Sequence, residues 1–234
     1  MLGLIVPGGW EEFFRFIGEP YSGPYWPMED DRNIFEVLIP KLRAASEQFD
    51  MVPCPQHKGC DPQEWQADDR RLPGKAEPYF LKNAAGPAYE VGGTVCRPLI
   101  TTAESHGKFS IGSLEGSSQH HQQSIFATEG RYLRFNNVHH AFQVAQGSIE
   151  FRLDSFAPSK VAAGEMIYVP KGTAFRFQQT SRNNKIYAFA SGGGLVEVLR
   201  KLGKEHKSSI PPEKAEAVDE SALGALQAEF GFSL

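Results

Sequence analysis

Short apolar runs separated by turn-forming residues occupy the middle of the chain and constrain its fold more than any other feature. Between residues 83 and 191 these runs are GPAYEVGG, RPLITT, KFSIGSL, HAFQVAQGSIEFRL, GEMIYVP, AFRFQQT and KIYAFAS. Within SIEFRL, Ile149, Phe151 and Leu153 alternate with polar residues, as the two faces of a half-buried strand require. Many short strands at this spacing predict a mainly β domain, either an antiparallel sandwich or a barrel.

Helical patterns precede this β region. EEFFRFI is a short amphipathic helix, and residues 33–50 carry a longer apolar stripe with i+3 and i+4 spacing. Asn33 and Glu36 have the spacing of a capping box, with Asn in place of Ser or Thr. Pro40 predicts a kink or a later start of this helix.

Helical patterns also follow the β region. Leu195 to Leu202 is a short amphipathic helix, and either Asp219 or Ser221 caps a final one. The chain therefore divides into a helical and irregular arm (1–82), a β-barrel (83–203) and a C-terminal tail with a helix (204–234).

Charge and hydropathy exclude two classes of partner. The chain has 24 Lys and Arg against 28 Asp and Glu, a net charge of −4, whereas a nucleic-acid binder usually has a basic face. The longest apolar runs are about five to seven residues, far short of the ~20 needed to span a membrane. The N-terminus has no basic region of the signal-peptide type. We expect a cytoplasmic protein that binds neither nucleic acid nor membrane.

The cysteines do not indicate a disulfide framework, because there are only 3 of them in 234 residues. Cys54 and Cys60 flank His57 in a Pro-rich stretch. A zinc site, a disulfide and free thiols all stay open for this cluster, although structural zinc usually has four ligands. Cys96 lies in a strand-like run and is predicted to be in the core.

Two segments of the β region resemble the paired cupin motifs. GEMIYVPKG, residues 164–172, fits the G-x5-P-x-G core of the second motif, and VAQG, ending at Gly147, fits the end of the first. Longer strings resemble the fungal-type quercetin 2,3-dioxygenase-like dicupins over residues 2–203. These strings are LIVPGGWEEFFRFIGEP, PYFLKN, GGTVCRPLITTAESHGKFSI, VHHAFQVAQG and GEMIYVPKGTAFRF.

The resemblance implies a cupin jelly-roll barrel with a helical arm that corresponds to the linker between two cupins. The family's N-terminal cupin carries the catalytic metal, and the match here begins near the exit of that barrel. A naturally shortened member, an incomplete gene product and an excised part of a dicupin all stay open.

The metal-ligand positions of the cupin motifs are not filled by ligands in this chain. Counting from Gly147 and Gly172 places Arg134 and Asn136 at the paired-His positions, His140 at the Glu position and Phe175 at the last His position. This departure from the family pattern predicts a barrel without metal or other cofactor. The alternative is a rearranged site for a divalent transition metal (Fe, Cu, Ni or Mn), formed by His121, Glu129 and His140.

Strand alternation predicts which side chains face the barrel interior. If His140 points inward, Phe142 and Val144 do so too, and Phe175 is accompanied by Phe177. These residues predict an apolar substrate pocket in which His140 acts as hydrogen-bond donor or general acid/base. The alternative is that side chains fill the barrel and His140 is a core histidine.

Glu115 is a second candidate for proton transfer. It shares one face of its strand with Phe109, Ile111 and Ser113, and on an inward face it would enter the pocket beside His140. The alternative is an acid at the rim or in solvent.

Two functions follow from these observations. The first is a quercetinase-like enzyme of secondary metabolism acting on a small phenolic, aromatic or polyketide-like planar molecule. The family implies dioxygenation, and the residues present favour a metal-free isomerisation or cyclisation. The second is a non-catalytic ligand-binding or dimerisation module. A homodimer is expected, because the arm presents Trp10, Phe13, Phe14 and Phe16 and such surfaces usually mark interfaces.

Overall fold

The computed structural model describes residues 5, 8–24, 29–59, 61–154 and 156–234. The chain forms two compact units, Met1–Gln63 and Glu64–Leu234. The boundary lies before residue 82, because hydrogen bonds tie the segment after Gln63 to its own unit. The Gly74 N–H donates to the Glu104 carboxylate at 2.9 Å, and the Gly86 N–H donates to the Arg70 carbonyl at 3.0 Å.

The first unit contains both helices predicted for the arm, α1 (Trp10–Ile17) and α2 (Ile34–Gln48). They pack through aromatic rings, since Phe13 stacks on Trp10 at 4.3 Å and meets Phe49 edge-on at 5.7 Å. Phe13 is therefore buried and not part of the exposed surface. Phe14 and Phe16 stay 57% and 41% exposed.

The start of α2 confirms the predicted cap. The Asn33 side chain accepts a hydrogen bond from the Phe35 N–H, and its amide donates to Glu36, both at 3.1 Å. Pro40 lies inside the helix, so the later start that Pro40 suggested is wrong.

The second unit is built from antiparallel strands with two helices near its C-terminus. The strands are β1 (Tyr89–Val91), β2 (Thr94–Ile100), β3 (Ser110–Gly116), β4 (Leu133–Phe135), β5 (His140–Gln146), β6 (Ser148–Leu153), β7 (Ser159–Ala162), β8 (Met166–Val169), β9 (Ala174–Gln179), β10 (Asn184–Ala190), β11 (Lys204–Glu205) and β12 (Phe232–Ser233). The helices are α3 (Gly194–Leu202) and α4 (Glu220–Phe230).

Within the described residues the strands form two sheets. One has the order β11-β1-β2-β3-β10-β5-β8 and the other the order β12-β4-β9-β6-β7. Phe142 of the first sheet contacts Phe151 and Phe175 of the second at 5.4 Å, so the core lies between them. This arrangement confirms the predicted cupin jelly-roll.

Two predicted turns depend on glycine. Gly147 joins β5 to β6 with φ +78°, and a Cβ there would lie 2.4 Å from the Asn183 carbonyl oxygen. Gly172 follows β8 with φ +76°. Both positions favour glycine because other residues rarely adopt this conformation.

The C-terminal residues belong to the barrel unit. β11 pairs with β1 and β12 pairs with β4, so the tail supplies a strand to each sheet. Asp219 caps α4 by accepting a 3.0 Å hydrogen bond from the Ala222 N–H, which selects Asp219 from the two predicted caps.

Candidate functional site

His140, to which the sequence assigned a catalytic role, lies in the core of the barrel and is 2% exposed. Its imidazole packs among aromatic rings, with centroids 4.6 Å from Phe135 and 5.5 Å from Phe175. Its Nε2 accepts a 3.1 Å hydrogen bond from the Leu195 N–H. That N–H belongs to the first turn of α3, where helices leave backbone donors unpaired. His140 therefore caps α3 from inside the core.

This environment keeps His140 uncharged. Burial lowers the pKa of His140 to about 3, with a smaller contribution from His139, because a charged imidazole here would lose its hydration. With Nε2 as the acceptor, the neutral ring carries its proton on Nδ1. These contacts match the core histidine that the sequence left open, and a catalytic role stays a prediction.

The predicted substrate-binding residues all face the interior. Phe142, Val144 and Phe175 are at most 1% exposed and Phe177 is 8% exposed. Phe151 stacks on Phe175 and Phe177 at 5.9 and 5.8 Å, so aromatic rings fill the middle of the barrel. Of the four, Phe177 lines the cavity described below.

Glu115 does not face the interior. Its neighbour Leu114 is 0% exposed and pairs with the inward Ile186. The Glu115 carboxylate lies 3.2 Å from Lys185 Nζ and 3.5 Å from Arg97 Nε. The prediction that it enters beside His140 is therefore wrong.

The inward face of β3 could not be identified from sequence because small residues occupy part of it. Gly112 occupies that face because α3 packs there, and a Cβ on Gly112 would lie 3.0 Å from Val196 Cγ1. Without a side chain at 112, the apolar alternation appeared to belong to the other face of the strand.

The residues at the cupin ligand positions do not fit a metal ion. Phe175 has no donor atom, and Arg134 is paired with Asp154 at 3.1 Å. His140 Nε2 already accepts a hydrogen bond from the Leu195 N–H. A positively charged guanidinium and a hydrocarbon ring cannot replace imidazole and carboxylate ligands.

The alternative metal residues are not brought together. His121 and Glu129 line a surface cleft, whereas His140 is in the core. In the part of the chain that the structure describes, no group of three or more His, Cys, Asp or Glu side chains is arranged to hold a metal ion. Cys60 lies outside the described residues, so the hypotheses for the Cys54 cluster stay untested.

A cavity of about 30 Å³ lies between the two sheets beside α3, large enough for one or two water molecules. Most of its wall is apolar, and the remainder includes an imidazole pair and a glutamine pair. The lining residues are Val91, Gly92, Thr94, Leu114, Ser117, His120, His121, Ser124, Ile125, Phe126, Phe177, Gln178, Gln179, Leu195 and Leu199. We call this space the interior cavity.

An open cleft of about 390 Å³ adjoins the interior cavity. The two share His121, Phe177 and Gln178 in their walls. The rest of the cleft is more polar and is lined by Gln122, Ala127, Glu129, Glu150, Arg152 and Arg176.

The loop between β3 and β4 covers the interior cavity. Its Ser118 N–H donates to the Ser181 carbonyl at 3.0 Å. Near its other end, Arg131 makes two hydrogen bonds to the Glu220 carboxylate, at 3.0 and 2.7 Å. Phe126 packs against Phe177 with ring centroids 4.9 Å apart. The loop is thus fastened to the rest of the unit and closes the aromatic wall.

His120 is a polar group of this loop and is 8% exposed. Its Nε2 lies 2.9 Å from the Pro212 carbonyl oxygen. A carbonyl can only accept, so Nε2 carries the proton and, in the neutral ring, Nδ1 is the free acceptor. Gly93 makes room for the ring, since a Cβ there would lie 2.8 Å from His120 Cδ2.

Gln179 brings a second buried polar group to the interior cavity. It follows Phe175 and Phe177 on the inward face of β9 and is 9% exposed. Among the described residues, its Nε2 atom has no hydrogen-bond partner. Gly116 leaves the space for its amide, because a Cβ there would lie 2.5 Å from Oε1. A buried donor without a partner is unfavourable for folding.

Sequence analysis missed both groups, although one carried a signal. Alternation from Phe175 through Phe177 places Gln179 inward. A polar residue on an otherwise apolar face is an informative sign of a binding site. No comparable signal existed for His120, because the position of a long loop depends on tertiary contacts.

One curated protein comparison supports the sequence resemblance. The chain is 23% identical to a quercetin 2,3-dioxygenase of Aspergillus japonicus over an alignment 235 positions long, which covers 91% of this chain and 65% of that protein. The resemblance to the quercetin 2,3-dioxygenase-like cupins is thereby confirmed. The chain spans less than two thirds of the length of this relative. No protein-family model matches the chain.

Solved structures that resemble the chain overlap with it only in part. Ectoine synthase from P. lautus is 13% identical, with 55% of this chain and 86% of that chain covered at a TM-score of 0.38. KdgF from Halomonas sp. is 12% identical, with 45% and 86% covered at 0.35. The Schizosaccharomyces pombe Cnp3 cupin domain is 15% identical, with 47% and 73% covered at 0.33. The fold assignment therefore depends on the strand order given above.

Proposed function

Starting from the similarity to quercetin 2,3-dioxygenase, we propose that this chain is a quercetinase-like cupin that binds a small phenolic or other planar, oxygenated molecule. The aromatic edge of the molecule enters the interior cavity and packs against Phe126 and Phe177. Its outer oxygen substituents lie in the cleft beside Arg176. The interior cavity alone is too small for a complete ring, so the binding site includes both spaces.

The observation that carries this proposal is the composition of the interior cavity. Its wall is mainly apolar and aromatic, and it keeps a small number of buried polar groups, which is the usual make-up of a small-molecule site. The filled core around His140 offers no such space. We place the site at the interior cavity and no longer at the His140 end of the barrel.

We also propose that any reaction this chain catalyses does not use the metal of the family. The donor set at the cupin ligand positions supports this, since Arg134 and Phe175 cannot act as ligands. Binding comes first in any such chemistry, because a reacting molecule must be held and oriented. Isomerisation and cyclisation stay candidate reactions, and a cytoplasmic location stays an expectation.

Calorimetric titration of the purified chain with quercetin tests the binding site. We expect saturable binding that weakens about 5- to 10-fold in Phe177→Leu, because this change removes one aromatic wall of the interior cavity. Phe151→Leu is the matched control. Phe151 lies in the same core and stacks on Phe177 at 5.8 Å, but it does not line the interior cavity.

Comparison of the two variants decides the location of the site. Equal loss of affinity in both would mean that core stability and not the cavity wall controls binding. No saturable binding of quercetin or of simpler phenols such as catechol would refute the proposed function.

A second candidate function, self-association through the arm, is favoured by the apolar surface of its helices. Phe14 and Phe35 are 57% and 72% exposed, and Ile34 is 62% exposed. We expect a homodimer in sedimentation velocity that dissociates in the double variant Phe14→Ser, Phe35→Ser. Tyr168→Ser, an exposed aromatic residue of the barrel, is the control. A monomeric wild-type chain at micromolar concentration would refute self-association.

A further inference from the structure

The polar groups of the interior cavity differ in whether their bonding capacity is already used. The Ser124 hydroxyl donates to the His121 carbonyl at 2.9 Å and accepts from the Phe126 N–H at 3.3 Å. The Ser117 hydroxyl accepts from the Gln119 N–H at 3.3 Å. Both side chains stabilise turns of the loop, and the Ser124 hydroxyl has its single hydrogen engaged in doing so.

His120 has one nitrogen left, and the fold determines which one. Its Nε2–H is directed to the Pro212 carbonyl, and its Cδ2 edge faces Gly93. By the geometry of the ring, Nδ1 lies on the opposite edge. The neutral imidazole can therefore offer the ligand an acceptor at Nδ1.

Gln179 has the complementary capacity. Its Nε2 is without a partner, although the residue is only 9% exposed. Because Gln179 lines the interior cavity, a ligand bound there can supply the acceptor that this donor lacks. Nothing in the folding of β9 requires a polar residue here, because Phe175 and Phe177 occupy the same face.

We propose that His120 and Gln179 together recognise one hydroxyl group of the ligand. The hydroxyl donates its hydrogen to His120 Nδ1 and accepts a hydrogen bond from the Gln179 amide. This inference rests on the proposed function and narrows its ligand class to molecules with a free hydroxyl at the edge that enters the interior cavity. An ether oxygen at that position would leave His120 Nδ1 without a donor.

A pair of ligands that differ only in hydroxyl methylation tests this recognition. Quercetin and its fully O-methylated derivative are titrated into the wild-type chain, Gln179→Met and His120→Phe. We expect the wild type to prefer quercetin by about tenfold or more, because loss of a buried hydrogen bond leaves its partner unpaired. The preference should fall to about twofold in both variants.

Three further variants separate recognition from folding. Gln143→Met and His139→Phe make the same substitutions outside the interior cavity and should keep the wild-type preference. Gly116→Ala retains Gln179 but displaces its amide, since the new Cβ would lie 2.5 Å from Oε1, and should lose the preference. Gly116→Ala also provides a test of the proposal if His120→Phe fails to fold.

The outcomes distinguish this inference from the function on which it rests. Binding of both ligands with equal affinity by the wild type would overturn hydroxyl recognition and leave the binding site intact. A preference that persists in Gln179→Met and Gly116→Ala would also overturn it. Failure of the wild type to bind any phenol would instead refute the proposed function.

Discussion

At the scale of single residues, His140 couples the stability of the barrel to pH. Its pKa is lowered from 6.5 to about 3 in the folded chain, so between these values the unfolded chain binds a proton that the folded chain excludes. Stability therefore rises with pH through this range, and the contribution of His140 is complete above pH 6.5 and lost as the pH falls toward 3. The limiting slope for one such group is about 1.4 kcal/mol per pH unit.

Substitution of His140 by glutamine isolates this dependence. His140→Gln keeps an acceptor for the Leu195 N–H but removes the titration. We expect the wild type to lose more stability than His140→Gln between pH 6.5 and pH 4, by about 1 kcal/mol per pH unit. Urea denaturation at a series of pH values measures the difference. Parallel pH profiles would show that His140 is not the buried base described above.

Gln179 leads to a prediction of the opposite kind, a polar side chain whose removal favours folding. Its Nε2 is buried without a partner, and such a donor costs about 1–3 kcal/mol. Gln179→Met is expected to raise the free energy of unfolding by about 1 kcal/mol while it weakens binding of a hydroxylated ligand. Urea denaturation of the ligand-free chain is the test. A clear loss of stability would mean that the amide has a structural partner.

These residues also mark how far strand alternation could predict the site. The inward placement of His140, Phe142 and Phe177 followed from period two and the structure agrees with it. The role of His140 did not follow, because its partner Leu195 is 55 residues away. Alternation on β3 failed for a physical reason, since Gly112 accommodates α3 and so carries no apolar side chain.

At the scale of elements, Glu197 joins α3 to the loop after β2. Its side chain is 2% exposed and is paired with Arg200 at 2.7 Å. It also accepts hydrogen bonds from the Thr102 N–H at 2.9 Å and the Thr102 hydroxyl at 3.1 Å. One carboxylate therefore fixes the loop and balances a partly buried guanidinium.

Glu197→Ala is expected to destabilise the barrel by about 3 kcal/mol, because it leaves the Thr102 N–H unpaired and Arg200 without its carboxylate. Glu220→Ala is the control. The Glu220 side chain pairs with Arg131 but is 59% exposed, and exposed ion pairs contribute about 1 kcal/mol or less to stability. Chemical denaturation of both variants gives the comparison. Similar effects would contradict the special position of Glu197.

The strands and helices themselves were largely predictable, and the exceptions share a cause. Alternating runs identified most strands, and the caps at Asn33 and Asp219 fixed two helix starts. β4 and β11 are only three and two residues long, too short for any period to be visible. The loop over the interior cavity has no such period, so sequence analysis could offer His121 only as a possible metal ligand.

At the scale of the whole molecule, the chain divides after Gln63 into two compact units. Residues 64–82, which follow, carry no apolar periodicity, so the sequence placed them with the arm. Backbone hydrogen bonds such as that from the Gly86 N–H to the Arg70 carbonyl are independent of side-chain pattern and could not be predicted from it. No helix of the described residues is long and apolar enough to span a membrane.

Limited proteolysis tests this division. Residues 52–59, near the end of the first unit, are exposed and irregular, and exposed polar segments are the preferred sites of cleavage. We expect trypsin to cut first after Lys58 and to leave a fragment that begins at Gly59 and resists further digestion. Mass spectrometry of early time points identifies the cut, and Lys58→Gln should delay the appearance of this fragment.

The fragment also tests whether the barrel unit alone contains the binding site. All residues that line the interior cavity lie after Glu64, so the isolated fragment should bind quercetin with an affinity within about threefold of the intact chain. A first cut inside the barrel, for example after Arg176 or Lys185, would contradict the division into units. A stable fragment that no longer binds would mean that the arm contributes to the ligand site.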